Sequence, residues 1–444
     1  MRLRAGALFA STVLLLACGT APDDPPPDGG LRPDGGVPQD GGARDAGTCP
    51  APWPDTSIDG PRDDEVLALA IDGASRLVVA GYRGGGNLGR LMPDGDANAF
   101  VSWWSPDGAQ LAEVSFATHG ADVVEAINVG DDDLVRIAGR TTGGLFSPTP
   151  GGQYDLFFAA VHPEAPVPHF GLQIGDAHPL HPRGLLVEGA QWIATGFTDI
   201  YVPTNYVEDW EDPFIARATF DGARLVDGRF ERWPSPITDV MQGAVHTGDD
   251  TGDLIVTYFA QVGARRGAWL ERVTADGTHR WRTHVSNTGF DSSVAVLLDG
   301  QGHVDLVGTT FGVIGERSYG QQDVYVASVR LDDGSVRHVM QVGSEESDWV
   351  TAAVRGPDGA LYVTGQTFGA WYGAPLPEEA VAAFVVRIAD GVATSAWQSA
   401  PTMEPMLPQA IVIDACDRVL IGGYETNDGH RAGFVRAVEL SRWP

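Results

Sequence analysis

The sequence predicts an all-β fold: a seven-bladed β-propeller of four-stranded antiparallel blades, its N-terminal strand completing the last blade. Three observations predict it. A glycine closes a short apolar strand pattern at near-constant spacing. Four strand-like pieces recur in the same order around each such glycine. The last copy lacks a fourth strand, which the beginning of the folded region can supply.

The glycines are Gly81 ("RLVVAG"), Gly139 ("LVRIAG"), Gly196 ("QWIATG"), Gly308 ("VDLVG"), Gly365 ("LYVTG") and Gly423 ("VLIGG"). A seventh copy, "LIVTYF", has Tyr258 in the glycine's place. Successive positions are 58, 57, 62, 50, 57 and 58 residues apart. In the copy that begins near Val350, the first piece, "VTAAVR", is largely apolar, as a strand buried on both faces should be. The turn "GPDG" leads to "LYVTGQ", and a long loop follows it. The third piece, "AFVVRI", turns through "ADG" into the fourth, "ATSAWQ". Period-two patterning with turn signals throughout excludes a helical repeat. The third piece carries an aromatic near its start in every copy: Phe100, Phe157, Phe214, Trp269, Tyr325, Phe384 and Phe434. One aromatic per blade at a fixed point reads as packing between blades.

The seventh copy runs "AIVIDA", "VLIGGY", "FVRAVEL" and then "SRWP", without a fourth strand. "DTSIDG", Asp55–Gly60, stands just before the first copy and is expected to fill that place, removing two open sheet edges. Cys49 precedes this strand and Cys416 lies in the first turn of the seventh copy, so both belong to one blade. A disulfide between them is expected, and two unpaired thiols are the alternative. Closing so long a loop is worth about 4–5 kcal/mol in a chain-entropy account, an upper figure.

Upstream, Arg2 and Arg4 precede the apolar run Ala5–Leu16, which ends in "LLAC", Leu15–Cys18. This pattern reads as a secretory signal, residues 1–17, too short to span a membrane as a mature helix. "LLAC" resembles the lipobox of bacterial lipoproteins, which implies lipidation of Cys18; ordinary secretion with cleavage near Ala17 is the alternative. Gly19 rather than Asp follows the cysteine, which by the same resemblance implies the outer membrane or cell surface. Residues 18–52 are rich in Pro, Gly and Asp, with "DGG" at Asp28, Asp34 and Asp40. They cannot bury a core and read as a flexible tether. The propeller occupies 53–444.

The chain carries 59 acidic residues against 29 basic ones, a formal net charge of −30. That field opposes binding to nucleic acid or to anionic lipid, so the membrane is reached through the lipid anchor alone. A monomer is expected.

The phrase "DGALYVTGQT", Asp358–Thr367, and the stretch "TGGLFSPTPGGQYDLF", Thr142–Phe157, resemble the bacterial seven-bladed β-propeller (SBBP) repeats. The resemblance spans Asp55–Leu440. Asp or Asn stands two residues before the aromatic at Asn98, Asp155, Asp212 and Asp323. Blade four departs with Tyr258 and the short loop "QVGARRG", and blades six and seven have Ala two residues before the aromatic. The resemblance implies binding or display at the cell surface and no reaction.

No H-E-x-x-H, G-x-S-x-G or paired C-x-x-C is present, and no catalytic residues are assigned. "GGGNLG", Gly84–Gly89, fits a dinucleotide fingerprint in letters only, since it lies between strands and opens no helix. "HPLHP", His178–Pro182, offers two imidazoles without an adjacent third ligand. Asp precedes the first strand in five copies: Asp64, Asp122, Asp239, Asp291 and Asp348; Pro179 and Met406 replace it in blades three and seven. These carboxylates are expected at one mouth of the central channel. They are either a cation site, with Ca²⁺ the candidate, or acceptors for the backbone of their own turns. No other cofactor is expected.

The long loops after the second strands open on the same face and carry Tyr154, Tyr201, Tyr206, Trp210, Tyr319, Trp371 and Tyr372. Exposed aromatics among Gly, Pro and acids suit a protein or glycan ligand; packing against neighbouring loops is the alternative. The expected function is therefore a lipid-anchored, non-enzymatic binding or display module. An envelope hydrolase or lyase built on channel-mouth carboxylates and a metal is the other reading, and a passive spacer a third.

Overall fold

Strand β1 (Thr56–Ile58) pairs with a strand almost at the other end of the chain, and the blades lie between these two partners in order. Blade one is β2 (Asp63–Ile71), β3 (Leu77–Gly85), β4 (Asn98–Trp104) and β5 (Gln110–Phe116). Blade two is β6 (Asp122–Val129), β7 (Val135–Thr141), β8 (Asp155–Val161) and β9 (Phe170–Ile174). Blade three is β10 (Leu180–Glu188), β11 (Gln191–Ile200), β12 (Trp210–Phe220) and β13 (Leu225–Arg232). Blade four is β14 (Val240–His246), β15 (Leu254–Val262), β16 (Arg265–Val273) and β17 (His279–His284). Blade five is β18 (Ser292–Leu298), β19 (His303–Thr310), β20 (Asp323–Arg330) and β21 (Val336–Val342). Blade six is β22 (Asp348–Arg355), β23 (Leu361–Thr367), β24 (Ala382–Ala389) and β25 (Val392–Gln398). Blade seven is β26 (Met406–Ile413), β27 (Val419–Asn427) and β28 (His430–Val438), with β1 as its outer strand.

This is the all-β, seven-bladed propeller that the repeat predicts. The structure is a computed structural model. It describes residues 53–444 except 86–96, 131, 133, 148–153, 166, 176–177, 201–209, 233–239, 250, 263–264, 275–276, 286–290, 372–374, 428 and 443–444. The signal segment, the tether, Cys18, Cys49, Tyr201, Tyr206, Asp239 and Tyr372 lie outside the described residues. So does most of the "GGGNLG" stretch. No helix among the described residues is long and apolar enough to cross a membrane.

Innermost strands touch in succession around the ring, and β26 returns to β2. The closure is as the sequence predicts, with Thr56, Ser57 and Ile58 paired to Val435, Phe434 and Gly433. Further contacts hold it. Trp53 is buried under the Arg418 guanidinium, 5.9 Å from its ring centroid. The Arg431 backbone N–H donates to Asp63 Oδ1 at 2.9 Å. At the C-terminus the structure adds something the sequence did not disclose. Ser441–Arg442 forms β29, which pairs with β25 and gives blade six a fifth strand.

The recurrence of glycine at this position has one physical cause. In every blade the inner strand bulges just past the residue that faces the repeat position, for example between Val350 and Ala352 and between Val124 and Ala126. The bulge drives a carbonyl against the second strand. A Cβ on Gly365 would collide with the Trp349 carbonyl oxygen, and one on Gly139 with that of Val123. Across the sheet, Gly365 faces Phe384 and Gly139 faces Phe157. Each ring fills the space its glycine leaves, and all seven aromatics of this series are buried. Phe157 also meets Phe116 of the preceding blade edge to face, centroids 6.2 Å apart. The packing role read from the sequence therefore holds both within and between blades. Where Tyr258 replaces glycine, it faces Met241, and its hydroxyl donates to Glu271 Oε2 at 2.8 Å.

Candidate functional site on the loop face

Four of the five predicted aspartates, Asp64, Asp122, Asp291 and Asp348, are described; they are buried and occupied by donors of their own blade. Asp348 accepts from the Ser344 backbone N–H at 2.5 Å and from Trp371 Nε1 at 2.8 Å. Asp122 accepts from the Thr118 N–H and the Thr141 hydroxyl, both at 2.5 Å. Asp291 accepts from the Thr310 hydroxyl at 2.6 Å and the Phe311 N–H at 3.2 Å. Asp64 accepts from the Gly60 and Gly84 N–H groups at 2.5 and 2.8 Å. Burial pushes the carboxyls of Asp64 and Asp122 above the ordinary range and that of Asp348 to about 6, against the pull of these bonds. The partners required by the turn-bonding alternative are thus in place. Among the described residues no group of three or more His, Cys, Asp or Glu is placed to hold a metal ion.

Where the aspartate is missing, its absence shows. Blade three has Pro179 there, and the Thr198 hydroxyl, at the position of Thr141 and Thr367, is buried with no hydrogen-bond partner among the described residues. In blade seven Met406 faces Glu425, which turns to Arg436 at 2.7 Å instead.

A second recurrent residue was not recognised in the sequence. Glutamine at the end of the fourth strand clamps the long loop in blades two, five and six. Gln341 Nε2 donates to the Gly312 carbonyl and to Asp323 Oδ2, both at 2.7 Å, while its Oε1 accepts from the Ile314 and Gly315 N–H groups. Gln173 does the same with Gly143, Asp155 and Phe146. Gln398 holds Gly369 and Trp371. The repeat signal was the "T-x-G" after the second strand with a glutamine 29–30 residues after its glycine.

Two loop aromatics expected on the surface are not there. Trp371 is 4% exposed and stacks on Phe384 at 4.6 Å, its indole N–H spent on Asp348. Tyr154 is 7% exposed under the Arg140 guanidinium, 5.1 Å from the ring centroid. Both are large apolar rings at the base of a loop, where covering the blade stabilises more than facing water. Tyr319 is half-buried, with Arg317 over its ring at 4.3 Å. Trp210 opens β12 opposite Ile200.

The two histidines do not converge. Arg140 Nη1 donates to His181 Nδ1 at 2.7 Å, and Arg232 Nη1 to His178 Nδ1 at 3.3 Å. A guanidinium at the imidazole acceptor nitrogen occupies the lone pair a metal would need. Beside His181, Glu125 is buried between Arg140 Nε at 2.8 Å and Arg183 Nη1 at 3.3 Å. Across the closure, Glu65 is held by the Tyr82 hydroxyl, Gln409 Nε2 and Arg431 Nη1 at 2.8, 3.0 and 3.1 Å. These buried pairs tie adjacent blades. No sequence pattern announced them, because their partners come from different repeats.

What the loop face does present to solvent is a pair of phenylalanines. Phe311 is 50% and Phe368 41% exposed, at the same repeat position in blades five and six, in the "TTFG" and "QTFG" phrases. Val313 beside them is 48% exposed. In blade two Thr142 stands at this position, and a cleft of about 620 Å³ opens between Thr118–Gly120 and Thr142–Gly144.

Neither the known protein families nor the curated proteins give a match to the sequence. Solved structures do. The β-propeller domain of the Trilobed protease from Pyrococcus furiosus is 12% identical, with a TM-score of 0.43 over 86% of this chain and 96% of its own. Sqt1 from Chaetomium thermophilum is 12% identical, with a TM-score of 0.45 over 87% of this chain and 100% of its own. The Pyrococcus horikoshii acylaminoacyl peptidase is 12% identical, with a TM-score of 0.44 over 86% of this chain. This chain spans about half of that peptidase, 52% of its length.

Proposed function

We propose that this chain is a lipid-anchored propeller of the SBBP-repeat type that binds and displays a ligand at the cell surface without catalysis. The observation that carries the binding reading is the exposed pair Phe311 and Phe368, at the same repeat position of neighbouring blades, with Val313 exposed beside them. Non-catalytic action is supported by the inner-strand aspartates, whose oxygens serve the turns of their own blades. An anchor at Cys18 and the thirty residues between it and Cys49 would hold this face clear of the lipid, at a typical reach of roughly 30 Å. A bond between Cys49 and Cys416, supported by the disulfide-bonded state of Cys416, would lock the closing blade to the base of the tether.

The experiment is protease shaving of intact cells that carry the chain or its Cys18→Ser variant. The reading requires the chain to sediment with membranes, to be cleaved from outside, and to become soluble on losing Cys18. Membrane association that survives Cys18→Ser rejects the anchor; protection from external protease rejects surface display.

A further inference from the structure

We propose that the loop face of blades five and six is a docking site for an extended polypeptide segment that places Lys or Arg beside apolar or aromatic side chains. The inference rests on the binding reading above and names its partner class.

The site is assembled by connections between two neighbouring blades. Thr310–Phe311–Gly312 and Thr367–Phe368–Gly369 make the same turn. In each, the threonine hydroxyl accepts from the glycine N–H, at 3.2 and 3.1 Å, and aligns the intervening side chain outward. The loop Gly343–Ser347 runs between the two turns. Its Ser347 carbonyl accepts from the Phe368 N–H at 2.9 Å, and its Glu346 carbonyl from the Gln321 N–H of blade five at 3.2 Å. Below it, the Val350 N–H donates to the Thr309 hydroxyl at 3.0 Å, which joins the start of blade six to the exit of β19. The phenylalanines are therefore carried on rigid, hydrogen-bonded turns, and ordering them on binding costs little side-chain entropy.

Charge selects the partner. Glu345 and Glu346 stand exposed on the intervening loop, and Glu316 lies exposed beside Val313. Glu316 and Glu345 make no ion pair among the described residues. Arg317 is the basic group nearby, and its guanidinium covers Tyr319. The excess of carboxylates sits in a chain of net charge −30, so the long-range field and the local one both favour a cation. Two phenyl faces add cation–π capacity for the same group and apolar cover for its neighbours. Neutral sugars would leave the unpaired carboxylates unused. Acidic segments would be repelled.

The test selects peptides from a randomised heptapeptide library on the immobilised full chain, with a neutral and acidic oligosaccharide panel run in parallel. Enriched peptides are measured by fluorescence anisotropy against Phe311→Ala/Phe368→Ala and Glu316→Gln/Glu345→Gln. Because these side chains are exposed, thermal melting should confirm that both variants fold. The expected result is enrichment of peptides with Lys or Arg next to aromatic or aliphatic residues, at least tenfold weaker binding to the double phenylalanine variant, and weakening by salt that the double glutamine variant reduces. Enrichment of acidic peptides, binding indifferent to both variants, or no peptide enrichment overturns the proposal. If oligosaccharides bind and depend on Phe311 and Phe368, the peptide assignment fails while the binding reading stands; if neither class binds, both fail.

Discussion

The Trp371 indole N–H donates to Asp348 Oδ1 at 2.8 Å beneath the exposed face of blade six. This bond joins the two features that the sequence offers as separate candidates, the aspartate at the channel mouth and the aromatic of the long loop. Together they are one structural unit: the carboxylate closes the turn before β22, and the indole ties the loop after β23 to it.

Asp348 makes stability depend on pH in a definite direction. Burial raises its carboxyl in the folded chain to about 6, above its ordinary value near 4. Between those values the folded state binds more protons than the unfolded one, so this group's contribution is full below about pH 4 and is lost as pH rises through 6. The contribution is at most roughly 3 kcal/mol. Urea unfolding of the wild type and Asp348→Asn at pH 7, 6 and 5 should show the wild type gaining relative to the variant as pH falls. A gap that stays constant, or closes, contradicts the burial argument.

The glycine of the repeat should resist even one added carbon. In Gly365→Ala the new Cβ meets the Trp349 carbonyl in a place fixed by the bulge, and a loss of about 2–4 kcal/mol is expected. Chemical denaturation measures it, and a loss under about 0.5 kcal/mol would mean that the inner strand relaxes freely.

Two equivalent threonines should respond oppositely. Thr367→Val removes a hydroxyl that bonds Asp348 and the Gly369 N–H and should cost about 1–3 kcal/mol. Thr198→Val removes one that is buried without a partner among the described residues and should be neutral or stabilising by up to about 1 kcal/mol. Equal losses would show that the aspartate does not set the value of this position.

Gln341→Ala should loosen one loop without opening the blade. It strips the partners of the Ile314 and Gly315 N–H groups, and hydrogen exchange at those two amides should accelerate at least tenfold while β19 and β20 keep their protection. Unchanged exchange there would remove the clamp from the account.

Most of the architecture was legible because the repeat reports it seven times. Blade number, strand order and closure by Thr56–Ile58 all follow from period-two patterning and turn residues. β29 was not legible, since two residues with no alternation become a strand only by finding the edge of β25. The site was legible in part. The aspartates were found, and their alternative as turn acceptors has its partners in place. Loop aromatics were overcounted, because a sequence cannot say whether Trp371 turns toward Phe384 or toward water. Phe311 and Phe368 were overlooked because they sit inside the repeat phrase itself, where shared spelling reads as structure.

The most direct test of the central claim places a photoreactive amino acid at Phe368, or at exposed Leu111 on the outer strand of blade one as control, in cells that make the full chain. Irradiation should give a discrete cross-linked species from position 368 and none from position 111. No adduct from 368, or the same adducts from both positions, would contradict a ligand-binding face on blades five and six.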